Sequence, residues 1–101
     1  APHLAAPRPV AVAYSGSIPD IIRAAAAKWG ANPDQLLRVA NCESHFNPRA
    51  YNSSSGASGL FQFKPSTYAA HGGTNIWDPV EQSDIAAKMF SQGLARQWGC
   101  K

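Results

Sequence analysis

The chain has 101 residues, which is room for one small domain and too little for two. Hydrophobic residues make up 45%, enough for one core, but charged residues make up only 15%, well below the roughly 25% of an ordinary soluble domain. The net charge of +3 is too small for a nucleic-acid-binding surface, although it suits loose attraction to an anionic polymer. No apolar run approaches the roughly 18 residues of a membrane-spanning helix.

The first part of the chain differs in composition from the rest. Residues 1–17 contain three of the eight prolines, much alanine and one charge. This composition predicts an extended amino-terminal arm or linker over 1–17, followed by a folded domain over 18–101. The alternation of Val10, Val12 and Tyr14 leaves open a short edge strand against that domain.

Three segments carry helix-start signals, in which a capping side chain, a proline and an acidic or amide residue lie within four residues. They are residues 17–20, 32–35 and 78–81, and the apolar spacing of the last continues to Leu94. A short helix is expected to open at residues 65–68, where Pro65 is followed by Ser, Thr and Tyr. The polar stretch between residues 47 and 59 predicts a loop or a short hairpin with its turn at a Ser/Gly cluster. We therefore expect a mainly α domain with three main helices, a short helix and a polar loop or hairpin.

Cys42 and Cys100 are the two cysteines of the chain. They are either two reduced thiols or a disulfide, and the disulfide is favoured because so small a domain gains from a crosslink. The chain-entropy model gives about 4 kcal/mol for a loop of this length. No cluster of cysteine and histidine has the spacing of zinc ligands, so we expect neither a metal nor another cofactor.

The chain contains only two glutamates, Glu43 and Glu81. At helical spacing Glu43 falls on the apolar stripe of the second helix, with Leu36, Val39 and Ala40. Burial there would raise the pKa of the carboxyl group, as a general acid for glycosidic cleavage requires. The alternative is that this helix ends at Asn41 or Cys42 and that Glu43 turns out to solvent. Glu81 is explained as a capping-box residue of the last helix.

Three short segments around Glu43 form a recognisable pattern. Residues 43–50 have Glu-Ser, two variable residues, Asn-Pro, a variable residue and Ala; residues 56–62 are Gly-Ala-Ser-Gly-Leu-Phe-Gln, and residues 65–67 are Pro-Ser-Thr. The pattern resembles the signature of lytic transglycosylases of the goose-lysozyme-like superfamily. Cys42 before Glu43, with Trp98 and Cys100 further on, is similar to the resuscitation-promoting factors of actinobacteria, which are secreted muralytic domains with one disulfide. The late Tyr-Asn-(Ala/Gly)-Gly motif of many larger transglycosylases is absent.

This resemblance implies a lysozyme-like fold and cleavage of the β-1,4 bond between N-acetylmuramic acid and N-acetylglucosamine in peptidoglycan. It implies that Glu43 protonates the leaving oxygen and then acts as a base. A proton taken from the sugar's own 6-hydroxyl leads to a 1,6-anhydro product, whereas activation of water makes the enzyme a hydrolytic muramidase. No second acid lies within the signature, which fits support from the substrate's acetamido group. The substrate-binding residues implied by the signature are Ser44, Ser58, Gln62, Thr67 and Tyr68.

Each of these side chains also has a purely structural interpretation. Ser44 is expected either to hold Glu43 or to cap locally, Gln62 to sit between core phenylalanines with a backbone partner, and Tyr68 to be a core aromatic. Gly56 and Gly59 are expected to let the loop approach the glycan. Arg49 and Lys64 have an ordinary solvated position as their simplest interpretation, with the carboxylate of the muramic lactyl group or the phosphates of teichoic acids as alternative partners.

We expect a monomeric enzyme that acts on peptidoglycan glycan strands, without nucleic acid, and with other cell-wall hydrolases as candidate partners. It would be secreted or associated with the cell wall, or encoded by a phage and delivered there. Two other classes of function stay open. One is a non-catalytic module that binds peptidoglycan or signals through it, and the other is a disulfide-stabilised interaction protein without affinity for glycans.

Overall fold

The structure is a computed structural model and describes residues 14–100. Within this range four α-helices and one 3-10 helix follow in chain order: α1 Ile18–Trp29, α2 Pro33–Ser44, α3 Pro65–Ala70, α4 Pro79–Ser91 and the 3-10 helix Ala95–Gln97. The prediction of a small, mainly α domain is confirmed. Most of the predicted arm, including Val10 and Val12, lies outside the described residues. None of the helices is long and apolar enough to cross a membrane.

The helices begin where the sequence signals predict. Ser17, Asn32 and Asp78 each accept hydrogen bonds from backbone N–H groups of the first turn that follows them. A proline stands at the first or second position of α1, α2 and α4, where a missing N–H costs nothing. α1 ends at Gly30 in the left-handed conformation, with φ 69°.

α4 ends earlier than its apolar spacing suggests. It stops at Ser91, where Gly93 takes φ 80° and the N–H of Leu94 donates back to the carbonyl of Met89 at 3.0 Å. This Schellman-type closure turns the chain out of the helix. Leu94 still packs against the core, so the apolar spacing correctly marks a buried position beyond the helix end.

The polar stretch after α2 forms a compact loop held by two isolated antiparallel bridges. Ser58 pairs with Tyr51 on one side and with Phe63 on the other, and the turn lies at residues 53–55. The predicted short hairpin is therefore present in outline. Its return arm, residues 57–63, lies against the helices and contributes Leu60, Phe61 and Phe63 to the core.

One hydrophobic core joins α1, α2, α4 and the segment 57–63. Its helical members are apolar residues at the predicted 3.6-residue spacing, including Ile22, Ala26, Leu36, Val39, Ala40, Ile85, Ala86 and Met89. Trp98 closes the core from the carboxyl-terminal segment. Its ring packs against Phe63 and Phe90 at centroid distances of 5.4 and 4.9 Å, and its Nε1 donates to the carbonyl of Phe61 at 2.9 Å.

Cys42 and Cys100 form a disulfide with a Cα–Cα distance of 5.8 Å, which confirms the predicted pairing. The bond links the last turn of α2 to the segment that follows Trp98. It therefore fixes the carboxyl-terminal segment beside the end of α2, where Glu43 lies.

Replacing both cysteines with serine is expected to lower the free energy of unfolding by about 4 kcal/mol. The bond spans 58 residues, and its removal restores the entropy of that loop to the unfolded chain. Urea unfolding followed by circular dichroism measures the change. Wild-type protein kept in a reductant should unfold at the midpoint of the double variant, and equal midpoints for oxidised wild type and variant would contradict the prediction.

Candidate active site

A cavity of about 360 Å³ opens beside the end of α2. Three segments that are distant in sequence converge on it: the last turn of α2, the stretch from residue 62 into α3, and the carboxyl-terminal segment after α4. The lining residues are Glu43, Gln62, Phe63, Lys64, Thr67, Gln97 and Trp98. They combine one acid, one cation, three uncharged polar side chains and two aromatic rings, a mixture able to bind both the hydroxyls and the faces of a sugar.

Glu43 lies on the last turn of α2, which continues to Ser44. The alternative that the helix ends at Asn41 or Cys42 is therefore wrong. The side chain is half-buried, and burial raises the pKa of Glu43, while the backbone of Cys100 acts in the opposite direction. The net shift keeps the carboxyl group protonated to a higher pH than an exposed glutamate, which favours donation of a proton to a leaving oxygen.

Ser44 ties the end of α2 to its surroundings. Its buried hydroxyl lies 2.7 Å from the carbonyl oxygen of Leu60 and 3.1 Å from that of Ala40, and it accepts the N–H of Asn47 at 3.2 Å. The structure thus places Ser44 between α2 and the loop and outside the lining of the cavity, and its role as a substrate contact stays a prediction. Its effect on the site is to fix the helix turn that carries Glu43.

Backbone strain is concentrated next to this cavity. Among residues 14–100, the non-glycine residues with positive φ are His45 (54°), Phe46 (60°) and Gln62 (54°). A side chain in this region costs of order 1 kcal/mol. The first two reverse the chain directly after Glu43 and Ser44, and the third lines the cavity itself. Surrounding contacts must compensate for this strain, which marks the two segments as geometrically constrained.

Gln62 serves the loop and the cavity at once. Its Nε2 donates to the carbonyls of Ala50 and Gly59 at 3.1 and 2.9 Å, which holds the turn between them. These bonds leave the amide oxygen as the group able to accept a hydrogen bond from a ligand. Gln62 can therefore hold the loop through its amide nitrogen, as the structural interpretation expects, and still offer its amide oxygen to a ligand near Glu43.

Of the other predicted substrate contacts, Thr67 lines the cavity and two do not. Ser58 is 2% exposed and its hydroxyl donates to the carbonyl of Gly56, while its backbone pairs with Phe63. Tyr68 is also 2% exposed, and its ring packs against Phe63 with centroids 5.0 Å apart. Both side chains are buried and both hydroxyls have partners within the protein, so their contact with a ligand stays a prediction.

Glu81 does not form the predicted capping box. Its carboxylate accepts hydrogen bonds from the N–H and hydroxyl of Thr74, the N–H of Asn75 and the hydroxyl of Tyr68, at 2.6 to 2.8 Å. Burial by itself raises the pKa of Glu81, but these hydrogen bonds hold it below its usual value. Burial, together with the hydrogen bond to Glu81, raises the pKa of Tyr68. Glu81 therefore fixes the loop before α4, and Glu43 is the one carboxylate that lines the cavity.

A second groove, of about 540 Å³, lies between α1 and α4. It is larger, but its carboxylates already have partners. Asp78 caps α4, Glu81 holds the preceding loop, and Asp84 accepts from Trp29 Nε1 and pairs with Lys28, each at 2.8 Å. Burial tends to raise the pKa of Asp84, but these contacts lower it overall. A carboxyl group held ionised in this way is a poor proton donor, so the cavity at Glu43 is the candidate active site.

Four cavity residues were not predicted as site residues: Phe63, Lys64, Gln97 and Trp98. Phe63 was interpreted as core, and it is buried while one part of it faces the cavity. Gln97 carries no sequence signal, because only the disulfide and the packing of Trp98 bring its segment to Glu43. The tryptophan two residues before the paired cysteine was the available hint.

Gln82 links α4 to the segment behind the cavity. The side chain is fully buried, and its amide oxygen accepts the N–H of Phe61 at 2.7 Å. Its amide nitrogen donates to the carbonyls of Ser58 and Ile76 at 2.9 and 2.7 Å. One side chain thus satisfies three buried backbone groups, which makes the loop part of the rigid scaffold.

Gly59→Ala is expected to lower the free energy of unfolding by about 2 kcal/mol, more than the ~1 kcal/mol expected for Gly56→Ala. Both glycines have positive φ, 83° and 77°. A Cβ on Gly59 would overlap the Gln82 amide and come within 2.6 Å of the Ile76 carbonyl oxygen, whereas a Cβ on Gly56 meets nothing within 4 Å. Thermal unfolding of the two variants measures the difference. Equal losses would show that close approach to Gln82 is not what requires glycine at residue 59.

Comparison with known proteins agrees with this geometry. Residues 20–99 match the family model of the transglycosylase SLT domain. A protein named transglycosylase from Enterobacteria phage PRD1 is 35% identical over 77 residues, which cover 76% of this chain and 29% of that protein. The chain thus spans less than a third of this relative's length. No solved structure gives a significant match. With a family match over nearly the whole described range, the chain belongs to the transglycosylase SLT domain family.

Proposed function

We propose that this domain cleaves the β-1,4 bond between N-acetylmuramic acid and N-acetylglucosamine in peptidoglycan, with Glu43 as general acid and then base. The observation that carries the proposal is a single half-buried carboxyl group with a raised pKa in a cavity of uncharged polar and aromatic side chains. Membership of the transglycosylase SLT domain family supports the reaction class.

In the first step the protonated Glu43 donates its proton to the glycosidic oxygen as the C1–O bond breaks. The departing sugar leaves as an alcohol, and positive charge develops at C1 and the ring oxygen. The cavity contributes no second carboxylate to balance that charge. The substrate's own acetamido oxygen is then the group closest at hand, and its attack on C1 gives a cyclic intermediate, a known exception to the two-carboxylate mechanism.

In the second step the Glu43 carboxylate removes a proton from the 6-hydroxyl of the same sugar. The hydroxyl oxygen forms the bond to C1, the acetamido group is released, and the product is a 1,6-anhydro sugar. The proton returns to Glu43, so the enzyme is restored with no water consumed. The name of the phage relative favours this outcome over hydrolysis, in which water takes the place of the 6-hydroxyl.

Mass spectrometry of the fragments released from purified sacculi tests the proposal. In water enriched in ¹⁸O, the transglycosylase reaction gives products that lack one water and carry no label. Hydrolysis gives reducing ends that carry the label and would replace the proposal with a muramidase. Binding to sacculi without release of fragments would replace it with a non-catalytic binding module.

The site of action is part of the same proposal. The Cys42–Cys100 disulfide supports a protein that works in an oxidising compartment, such as the cell surface. A secreted, wall-associated protein similar to the resuscitation-promoting factors and a phage-delivered protein both fit this condition. Detection of the intact disulfide in protein recovered from cell walls or from phage particles tests the two sources.

A further inference from the structure

Lys64 holds a position in the cavity that the reaction does not use. It is the one cation in the cavity lining, where Glu43 is the one acid. Its backbone is fixed, because it occupies the N-cap position of α3 and its carbonyl accepts the N–H of Tyr68 at 2.9 Å. The backbone of Lys64 is therefore held beside the cavity, while its side chain is exposed to solvent.

The ammonium group of Lys64 has no ionic partner within residues 14–100. The ion pairs there are Arg23 with Asp20 and Lys28 with Asp84. Lys28 and Lys88 also lie over the ring of Trp29, at 5.2 and 5.3 Å from its centroid.

Lys64 does not serve Glu43 either. A cation close to a carboxyl group lowers its pKa, yet burial and the backbone of Cys100 are what act on Glu43 within the described residues. Lys64 is thus not one of the groups that shift the pKa of Glu43. This arrangement leaves the proton of Glu43 available and the charge of Lys64 free for a ligand in the same cavity.

We propose that Lys64 binds a carboxylate carried by the glycan and thereby selects muramic strands over neutral ones. The inference rests on the proposed function, which supplies the substrate. Every second sugar of peptidoglycan carries a lactyl ether, whose carboxyl group is either free or extended by a peptide that bears carboxylates of its own. A chain of N-acetylglucosamine alone has neither. Phe63 and Trp98 line the same cavity, and apolar surface lowers the local dielectric constant, which strengthens the attraction between a cation and such an anion.

Binding measurements on the Glu43→Gln protein test this proposal, because that variant leaves every glycan intact. Three ligands of matched length separate the sources of charge: peptide-free muramic strands, peptide-bearing strands, and oligomers of N-acetylglucosamine. We expect about fivefold tighter binding of a carboxylate-bearing strand than of the neutral oligomer. Preference for the peptide-free strand assigns the lactyl carboxylate, and preference for the peptide-bearing strand alone assigns the peptide.

Adding Lys64→Gln should abolish this preference without changing the affinity for the neutral oligomer, whereas Lys64→Arg should keep it. In about 1 M salt, where screening acts within ~3 Å, the preference should shrink. Lys88→Gln is the matched control, because it removes the same charge from an exposed lysine outside the cavity. A preference that survives Lys64→Gln, or one that Lys88→Gln removes equally, would overturn the proposal.

Turnover by the wild-type protein is measured separately, which keeps the two proposals distinguishable. If the wild type binds strands with a Lys64-dependent preference but releases no fragments, the catalytic proposal fails and this one stands. If it releases anhydro fragments at a rate and KM unaffected by Lys64→Gln, the catalytic proposal stands and this one fails.

Discussion

Glu43→Gln is expected to reduce the release of soluble fragments from purified sacculi by at least about 10³-fold. Glutamine has nearly the same shape, but it can neither donate a proton to the leaving oxygen nor accept one afterwards. Glu43 lines the cavity without a second carboxylate, so no neighbouring acid is placed to take over. Release at the wild-type rate would show that Glu43 is not the catalytic acid.

The same substitution is expected to stabilise the fold at neutral pH. Burial raises the pKa of Glu43, so its ionised form is less favourable in the folded protein than in the unfolded chain. The contribution of Glu43 to stability is complete below the unfolded pKa and is lost as the pH rises through the folded pKa. Glu43→Gln should therefore unfold at a higher temperature than wild type above the folded pKa, and the advantage should disappear in acid.

Asp34→Asn is the control for this pair of measurements. Asp34 lies at the exposed start of the same helix and outside the cavity, so its replacement removes a carboxylate without touching the proposed chemistry. It should keep wild-type activity and lose a few tenths of a kcal/mol, because an acid in the first turn interacts favourably with the helix dipole. A Glu43→Gln protein that is less stable than wild type at every pH would contradict the prediction that partial burial disfavours the ionised form of Glu43.

The pH dependence of wild-type activity should report the titration of Glu43. Proton donation needs the protonated form of Glu43, so activity should fall as the pH rises through its raised pKa. The high-pH limb should therefore lie above the range of an ordinary glutamate, which titrates near pH ~4.3.

The parts of the fold that local physics decides were predictable from the sequence. Ser17, Asn32 and Asp78 cap their helices because a short polar side chain at this position accepts hydrogen bonds from first-turn N–H groups that have no partner within the helix. The buried face of α2 follows from its 3.6-residue spacing, and that spacing alone placed Glu43 among apolar residues. With two cysteines in a domain of this size, the disulfide also followed.

The partners of polar side chains were less predictable, because tertiary contacts decide them. Ser58 and Tyr68 were assigned to a ligand and Glu81 to a local cap. Tyr68 donates to Glu81, 13 residues away in sequence, and the hydroxyl of the buried Ser58 donates to the carbonyl of Gly56. A signature marks the residues that build a site together with those that touch its ligand, and it does not separate the two. Gln97 lines the cavity because the carboxyl-terminal segment runs past Glu43, and no local sequence pattern predicts the course of that segment.

Gln82 is the clearest case of a residue that supports the site from behind. Gln82→Leu is expected to lower the free energy of unfolding by about 5 kcal/mol, because the N–H of Phe61 and the carbonyls of Ser58 and Ile76 lose their partner in a buried position. For a domain of this size, that corresponds to a fall of about 20 °C in Tm. Gln92→Leu, at the exposed end of the same helix, should shift Tm little and is the matched control.

Gln82→Glu gives a second test that does not depend on whether the leucine variant folds. One carboxyl oxygen can still accept from Phe61, but the other faces the carbonyls of Ser58 and Ile76 and needs a proton to bind either. Burial and these carbonyls should raise the pKa of the introduced carboxyl group. Its contribution to stability is then present at acid pH and lost as the pH rises through the folded pKa. The variant should approach wild-type stability in acid and fall steadily behind it toward neutral pH. A Gln82→Glu protein with wild-type stability at neutral pH would mean that water or a shifted backbone satisfies these groups, and that the amide of Gln82 is not what holds the loop behind Glu43.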